Sequence, residues 1–195
     1  MPYSKEHKQQ SREKILKSAV ALFCRKGFNN VSIDDLMKDA KLTRGAFYAH
    51  FESKSDVYMQ AIIAAARNSD LVNDIPKDLH KDEVLSFFIS SYLSNRHVSQ
   101  ECSPCPLAFL STDVSTNEPK VKKTYTKVFE GFVGLISDNL PNEFDTVQRH
   151  TVSHAISALV IGSVIIGRAL NDDVIQDNLL ESSKAIAMQL TGSEV

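Results

Sequence analysis

Apolar positions recur along this chain with the spacing of amphipathic helices, and the alternation typical of strands is nearly absent. In a first helical segment, about residues 11–26, one face carries Ile15, Leu16, Ala19, Leu22 and Phe23. Gly27 follows two cations, Arg25 and Lys26, and is a typical residue at a helix end. The whole pattern predicts an all-α fold of about nine helices.

Three short helical segments follow the first. Ser32 is suited to cap a second helix, with Asp34 and Asp35 in its first turn. Ala40–Leu42 forms a tight connection to a third helix, about residues 43–49, that Thr43 caps, and Ser53 caps a fourth. A three-residue turn is too short for an antiparallel pair, so the second and third helices must cross steeply. This arrangement predicts a helix-turn-helix.

The remaining chain predicts five more helices after a connection at residues 70–81. Proline and asparagine-rich stretches separate most of them, because proline starts or stops a helix and short polar side chains favour turns. The predicted ranges are about 82–97, 104–113, 118–138, 143–170 and 174–191.

Charge is distributed unevenly between the two ends of the chain. Residues 1–60 contain 11 Lys and Arg against 7 Asp and Glu, whereas the rest of the chain contains 11 against 17. A basic first part is suited to a polyanion that an acidic remainder would repel. Lys5, His7 and Lys8 precede the first segment, and we expect a disordered end there, although these cations are able to reach a DNA backbone.

Membrane and secretory classes are disfavoured by the apolar pattern. The chain starts without the apolar segment of a secretory signal, and its longest apolar run, Ala155–Ile166, is shorter than the roughly 20 residues of a membrane-spanning helix. An odd number of cysteines, three, does not form a disulfide framework. We therefore expect a soluble cytoplasmic protein.

The stretch LTRGAFYAHFESK, residues 42–54, combines apolar aromatic residues with cations in an unusual way. Phe47 faces the core, while Arg44 and Gly45 lie at the exposed leading end of the third helix. Arginine forms the commonest specific contact with guanine, and glycine permits a close approach to the groove. Tyr48, His50 and Lys54 flank that end with donors for phosphates. His50 is alternatively a packing or capping residue.

Residues 11–63 closely resemble the N-terminal domain of the tetracycline-repressor (TetR) family of bacterial transcriptional regulators. The run of Gly45, Phe47, Tyr48, Phe51 and Lys54 is the most specific part of the resemblance. The resemblance implies a homodimer with a DNA-binding domain at residues 1–52 and a ligand-binding and dimerisation domain at residues 53–195. It also implies repression that a small molecule relieves.

The same resemblance implies roles for individual residues. The positions that match phosphate contacts of the family are Ser32, Thr43, Tyr48 and Lys54, and those that match base-facing positions are Arg44 and Gly45. Serine at position 32 replaces the more usual threonine and keeps the hydroxyl. Double-stranded DNA with an inverted repeat is the expected partner, because a dimer presents two reading heads with two-fold symmetry.

The last two predicted helices are candidates for the dimer interface. The eighth is rich in small residues and apolar on most of its surface, and a helix that is apolar all round must be buried on all sides. A partner subunit supplies such cover by forming a two-fold four-helix interface. The predicted interface residues are Ile156, Leu159, Val160, Ser163, Leu179 and Ile186. The alternative is a central helix of a monomer.

An effector site is predicted between helices of the second domain, since ligand pockets in helical domains are mostly apolar with few polar groups. The effector is expected to be small and apolar or amphipathic. The candidate residues are Phe88, Tyr92, Cys105, Phe109, Tyr125, Phe129 and His154. Each is also explained as an ordinary core residue, and His154 as a buried core or interface histidine.

Cys102 and Cys105 form a C-x-x-C pair before a predicted helix, where the helix N-terminus favours a low-pKa thiolate. A regulator that senses oxidants or electrophiles through these thiols is therefore an alternative function. Structural zinc is not expected, because the chain has no second cysteine pair and His97 is the sole speculative third ligand. No other metal or cofactor is expected.

Enzymes are disfavoured as a class. The sequence contains no phosphate-binding loop, no H-E-x-x-H and no G-x-S-x-G motif, and it lacks the βαβ context of a C-x-x-C redox enzyme. A helical protein that binds other proteins and not DNA remains a second alternative. That class leaves the cations and aromatics of residues 42–54 unexplained.

Overall fold

The computed structural model describes residues 5–192, apart from the side chains of residues 5, 81 and 82. Within this range the chain forms twelve helices and no strand, which confirms the all-α prediction. The first six are α1 (Lys5–Lys26), α2 (Ile33–Asp39), α3 (Arg44–Tyr48), α4 (Lys54–Arg67), α5 (Asp70–Asn73) and α6 (Lys81–Tyr92). The other six are α7 (Asn95–Val98), α8 (Pro106–Phe109), α9 (Ser111–Ser115), α10 (Pro119–Asp138), α11 (Thr146–Gly167) and α12 (Asp173–Leu190).

Short helices account for the difference between twelve and the predicted nine. The predicted helix 82–97 is interrupted at Leu93, whose ψ of 51° is not helical, and Ser94 then caps α7. The predicted sixth helix is likewise interrupted at Leu110, and α5 occupies a single turn of the predicted connection. No proline or glycine stands at Leu93 or Leu110, so the sequence pattern did not indicate these breaks.

The first helix begins earlier than predicted. It starts at Lys5, so the expectation of a disordered end before residue 11 was wrong for residues 5–10. Its end was predicted correctly, because Gly27 adopts a φ of +79° and its N–H donates to the carbonyl of Phe23 at 2.8 Å. A left-handed residue at this position is the usual way to stop a helix.

The chain forms two compact units. The first contains the residues up to Arg67 together with Cys105–Val128, and the second contains Asn68–Pro104 together with the residues from Phe129 onward. The first unit extends beyond residue 52 because α4 packs along α1 and α8 contacts both helices. A functional division between residues 1–52 and 53–195 stays a prediction.

The first unit has an aromatic core between α1 and α4. The ring of Tyr58 lies 4.8 Å from the rings of both Phe23 and Phe28, and Tyr58 and Phe23 are fully buried. Asp113 of α9 supports the end of α1 from the same side, since its carboxylate accepts a hydrogen bond from the Phe28 N–H at 3.0 Å. These contacts fix the position of α1, and α2 packs against it as well.

The second unit is built on the packing of α11 against α12. The hydroxyl of Ser163 donates to that of Ser183 across this contact at 2.8 Å, and both side chains are buried. Phe88 and Tyr92 of α6 pack with Phe132, with ring centroids 5.4–5.9 Å apart. Packing of these aromatic rings removes apolar surface from water and so stabilises the unit.

One helix in the described part of the chain, α11, is long and apolar enough to cross a membrane by length and composition alone. The packing against α12 gives another reason for that composition, because 44% of its most apolar window is buried inside the chain. A core helix of a water-soluble protein meets the same two criteria.

Candidate nucleic-acid interface

The leading end of α3 is an exposed surface on a firmly anchored helix. Phe47 is fully buried, and its ring packs against those of Phe51 and Tyr48 at 5.6 and 5.3 Å. Thr43, at the N-cap, and Arg44 are exposed, and the Thr43 side chain makes no capping hydrogen bond. The buried half of α3 therefore anchors the helix, while its first residues are available to a partner. The Thr43 hydroxyl is available as well, because it does not cap the helix.

Arg44 is paired with a carboxylate that the sequence did not single out. Its Nη1 lies 2.9 Å from Oδ2 of Asp34 on α2, and both side chains are more than half exposed. A hydrogen bond with the Tyr48 side chain, followed by the Asp34 charge, raises the pKa of Arg44 further above its usual value. The guanidinium is thus held at the surface and is always charged.

Gly45 is surrounded by open space. A Cβ built at this position has no heavy atom within 4 Å, so no intramolecular contact requires glycine here. Gly45 is also helical, where alanine is the better helix former. A partner that approaches the helix closely would explain the residue, as the sequence predicted.

The Ser32 side chain caps the start of α2. Its hydroxyl donates to Oδ2 of Asp35 at 2.6 Å and accepts from the Asp35 N–H at 3.1 Å. The same carboxylate accepts from the Ser32 N–H at 2.9 Å, which completes a capping box. These hydrogen bonds from the Ser32 side chain and backbone lower the pKa of Asp35. A phosphate contact by the Ser32 hydroxyl would compete with Asp35 for its proton.

Lys54 lies at the start of α4, where Ser53 caps the helix by accepting from the Asp56 N–H at 3.1 Å. The Lys54 ammonium lies 4.3 Å from the centre of the Phe28 ring. Partial burial lowers the pKa of Lys54, while the charges of Asp113 and Asp35 oppose that shift. The contact with the aromatic ring therefore restricts the positions that this cation can take.

His50 and Thr43 line one concavity of about 680 Å³ in the first unit. Its other lining residues are His7, Lys8, Ser11, Lys41, Leu42, Gly45, Ala46 and Ala49. Burial, and then the nearby charges of Lys8 and Arg12, lower the pKa of His50. The lowered pKa favours the neutral imidazole, which is able to donate a hydrogen bond to a phosphate.

The predicted effector residues do not form one cluster within a unit. Cys105, Phe109 and Tyr125 belong to the first unit, whereas Phe88, Tyr92, Phe129 and His154 belong to the second. The Tyr125 hydroxyl donates to the Leu107 carbonyl at 2.7 Å, and burial raises its pKa to about 12. Phe88 and Tyr92 belong to the aromatic core, so the ordinary core explanation applies to them as well.

His154 is exposed and does not line the core of its unit. Its Nδ1 lies 2.7 Å from the His150 carbonyl, and its ring lies 4.2 Å from that of His150 and 6.1 Å from that of Phe129. The buried histidine of this unit is His97, whose Nδ1 lies 2.8 Å from the Tyr92 carbonyl. Burial lowers the pKa of His97 to about 4.

No disulfide joins the three cysteines, and no group of three or more metal-ligating side chains occurs among the described residues. Cys102 is partly buried, and this burial raises the pKa of its thiol. Cys105 is buried at the N-cap of α8, where its side chain makes no capping hydrogen bond. The surroundings of Cys102 are thus the opposite of those that produce a reactive thiolate.

The predicted interface residues differ in how much surface they expose. Ile156, Val160 and Ser163 are buried within one chain, so they have no surface left to bury against a second copy. Leu159 and Leu179 are half-buried, and Ile186 is 48% exposed. Further large apolar side chains are exposed on the same two helices, namely Val147, Ile166, Val174 and Ile175.

Comparison with known proteins agrees with the helix-turn-helix that the sequence predicted at α2 and α3. Residues 15–61 match the family model described as bacterial regulatory proteins, tetR family. An HTH-type transcriptional regulator encoded in the lacX 3′ region of Lactococcus lactis is 25% identical over 186 residues, which are 90% of this chain and 93% of that protein. The negative transcriptional regulator IcaR of the Staphylococcus aureus biofilm operon icaADBC is 33% identical over 51 residues, 26% of this chain and 27% of that protein.

A solved structure shows the same fold over the whole chain. A TetR-family transcriptional regulator from Cytophaga hutchinsonii superimposes with a TM-score of 0.78 at 21% identity, covering 100% of this chain and 99% of that one. The helix-turn-helix and the family match thus occur in one N-terminal segment, on a shared all-helical fold. Residues 15–61 match the TetR family of bacterial regulatory proteins, and the whole chain shares the all-helical fold of a TetR-family regulator.

Proposed function

We propose that this protein is a ligand-responsive transcriptional repressor that binds an inverted-repeat operator as a homodimer and releases it when a small apolar or amphipathic effector binds. The observation that carries the proposal is the exposed end of α3, where Arg44 and an unobstructed Gly45 stand on a helix anchored by buried Phe47. The name of the IcaR relative, a negative regulator, supports repression.

In this proposal each side chain has a defined task. Arg44 reads a guanine, and Gly45 lets the backbone of α3 approach the groove. Thr43, Tyr48 and Lys54 donate to phosphates and set the register of α3 on the duplex. Ser32 and His50 have weaker support, because the Ser32 hydroxyl is bonded to Asp35 and burial lowers the pKa of His50.

Dimerisation is proposed through the exposed apolar side chains of α11 and α12. Val147, Ile166, Val174, Ile175 and Ile186 remain uncovered in a single chain. Burying such residues against a second copy is favourable at about 25 cal/mol per Å². Two chains then present two α3 helices to one operator. A water-soluble DNA-binding protein of this kind works in the cytoplasm, and we propose no catalytic role.

A DNA-binding measurement tests the proposal. Purified protein is titrated onto labelled DNA that flanks its own gene, at several salt concentrations, with unrelated DNA as competitor. We expect selective binding with a log–log salt slope set by the number of phosphates contacted. If neither this DNA nor any fragment selected from the genome binds selectively, the repressor proposal is wrong and the protein-binding alternative is favoured.

The thiol-sensing alternative is tested in the same titration after treatment with a thiol oxidant. The raised pKa of Cys102 predicts a poorly reactive thiol, so protein treated with the oxidant and untreated protein should bind DNA alike. A loss of binding on oxidation that a Cys102→Ser variant prevents would instead make the C-x-x-C pair the sensor.

A further inference from the structure

The turn between α2 and α3 contains a residue in an unfavourable backbone conformation. Lys41 has a φ of +56°, in the left-handed region that side chains with a Cβ rarely adopt. Its N–H donates to the Lys38 carbonyl at 3.2 Å, and the next N–H, of Leu42, donates to the Met37 carbonyl at 2.9 Å. These two bonds define a Schellman helix end, where glycine is the usual residue.

Helix geometry therefore does not explain a lysine at this position. The Lys41 side chain is exposed and makes no ion pair with a described carboxylate, so intramolecular contacts do not explain it either. Glycine would satisfy the turn with less strain. A contact of the lysine side chain outside the chain would explain why lysine stands here.

The surroundings of Lys41 indicate what that contact is. Lys41 lines the same concavity as Thr43 and Gly45, together with Lys8 from the first turns of α1. The charge of Lys8 is close enough to lower the pKa of His50, so this surface gathers cations from two elements. A cationic concavity next to the leading end of α3 is suited to a phosphate backbone.

We propose that Lys41 is a phosphate-binding residue of the DNA interface, held in a strained turn because its ammonium neutralises a backbone phosphate beside the base-reading end of α3. This inference rests on the proposed DNA-binding function. Lys41 acts through charge, so it adds affinity for all DNA alike and does not choose a sequence.

Two substitutions at this position separate charge from backbone strain. Lys41→Gln removes the charge and keeps the Cβ, whereas Lys41→Gly removes the charge and relieves the strain. We expect both variants to bind specific and unrelated DNA more weakly. Each should flatten the log–log salt slope by about two for a dimer, one phosphate per subunit. Lys41→Arg should restore the wild-type slope.

The chain offers a matched control for the backbone effect. Gln100 is the other residue with a side chain and a positive φ, +62°, among those described, and it follows α7 with the same pair of Schellman hydrogen bonds. We expect Gln100→Gly to shift the urea midpoint in the same direction as Lys41→Gly while leaving DNA binding unchanged. Lys77→Gln, at an exposed lysine of the second unit, controls for net charge.

The outcomes distinguish this inference from the function on which it rests. If the wild-type protein binds DNA and both Lys41 variants keep its salt slope, the role of Lys41 is wrong and the repressor proposal stands. If Lys77→Gln flattens the slope as much as Lys41→Gln, the effect belongs to net charge and the assignment is also wrong. If the wild-type protein binds no DNA in a salt-dependent way, both proposals are wrong.

Discussion

The pair formed by Arg44 and Asp34 sets the state of the Arg44 side chain, which we propose reads a base, before DNA arrives. Both groups are more than half exposed, so water screens their attraction and the pair is easily opened. The pair nevertheless holds the guanidinium near the end of α3, and Arg44 therefore adopts fewer rotamers than an unpaired arginine would. Asp34 also brings a negative charge to a surface that we propose contacts phosphates. Its carboxylate should therefore repel DNA of any sequence and weaken binding.

Removing the negative charge of Asp34 is expected to tighten DNA binding. An Asp34→Asn substitution takes away the like-charge repulsion with DNA and frees Arg44, so affinity for specific and unrelated DNA should both rise. Binding curves at fixed salt measure the change. Asp39→Asn, an equal charge change at another exposed residue of α2, is the control. Equal affinities for wild type and Asp34→Asn would contradict this role of Asp34.

Gly45 permits a test in which stability and function change in opposite directions. Gly45→Ala has free space for its methyl group in a helix, so the free energy of unfolding should rise by about 0.5–1 kcal/mol. Operator affinity should fall, because the methyl group would lie where we propose that α3 approaches the groove. Urea denaturation and DNA titration measure the two effects.

The control for this substitution is Gly131→Ala, which is also helical and equally unobstructed but lies on α10. It should stabilise the chain in the same way and leave DNA binding unchanged. Wild-type affinity in Gly45→Ala would show that α3 does not approach a partner closely at this residue.

At the scale of elements, the end of α1 and the start of α4 are tied to α9. Asp113 accepts the hydrogen bond of the Phe28 N–H, and its charge favours the protonated form of Lys54. Phe28 in turn lies under the Lys54 ammonium. A shift of α9 would therefore change the position of a predicted phosphate-binding residue through two identified contacts.

Gly27 is expected to be intolerant of substitution for a reason beyond its backbone. A Cβ at Gly27 would lie 2.7 Å from Oδ2 of Asp113, and the φ of +79° adds roughly 1 kcal/mol for a residue with a side chain. Gly27→Ala should therefore lower the free energy of unfolding by more than that amount. Its cost should be smaller in an Asp113→Ala background, where the obstructing carboxylate is absent. Equal costs in both backgrounds, measured by urea denaturation, would contradict the predicted contact.

Local signals predicted the parts of the fold that depend on neighbouring residues. Ser32, Ser53 and Gly27 mark helix ends by their own side chains or backbone freedom, and the structure confirms all three. The break at Leu93 was not predicted, because no proline or glycine marks it and Ser94, which caps α7, is a residue that also occurs inside helices. Asp34 was missed for a similar reason, since its partner is ten residues away on another helix.

At the scale of the whole molecule, burial decides which predicted site residues remain available. The sequence predicted that α11 is buried on all sides, and the structure shows Ile156 and Val160 buried within one chain but Ile166 52% exposed. Periodicity identifies apolar faces, but it cannot tell which face a second copy covers. The predicted effector residues stay a prediction, because core aromatics and pocket aromatics have the same pattern in a sequence.

Stability of the whole chain is expected to depend on pH through His97. Burial first of all lowers its pKa to about 4 from an unfolded value near 6.5, so between these values the unfolded chain binds more protons than the folded chain. Stability should therefore rise as pH increases from 4 to 6.5, by up to about 3 kcal/mol for this group. Urea denaturation across that range measures the slope.

The contribution of His97 is isolated by comparison with an exposed histidine. His97→Gln should flatten the pH dependence between pH 4 and 6.5, and His80→Gln, the same substitution at an exposed histidine, is the control. An unchanged slope in His97→Gln would assign the pH dependence to other groups.

The most direct test of the central claim, that the leading end of α3 reads DNA, is a base-substitution scan of the bound operator with wild-type protein and Arg44→Ala. We predict that the wild-type protein discriminates by about tenfold or more at one guanine position in each half-site and that Arg44→Ala loses this preference while keeping the others. Equal discrimination by both proteins at every position would contradict the claim.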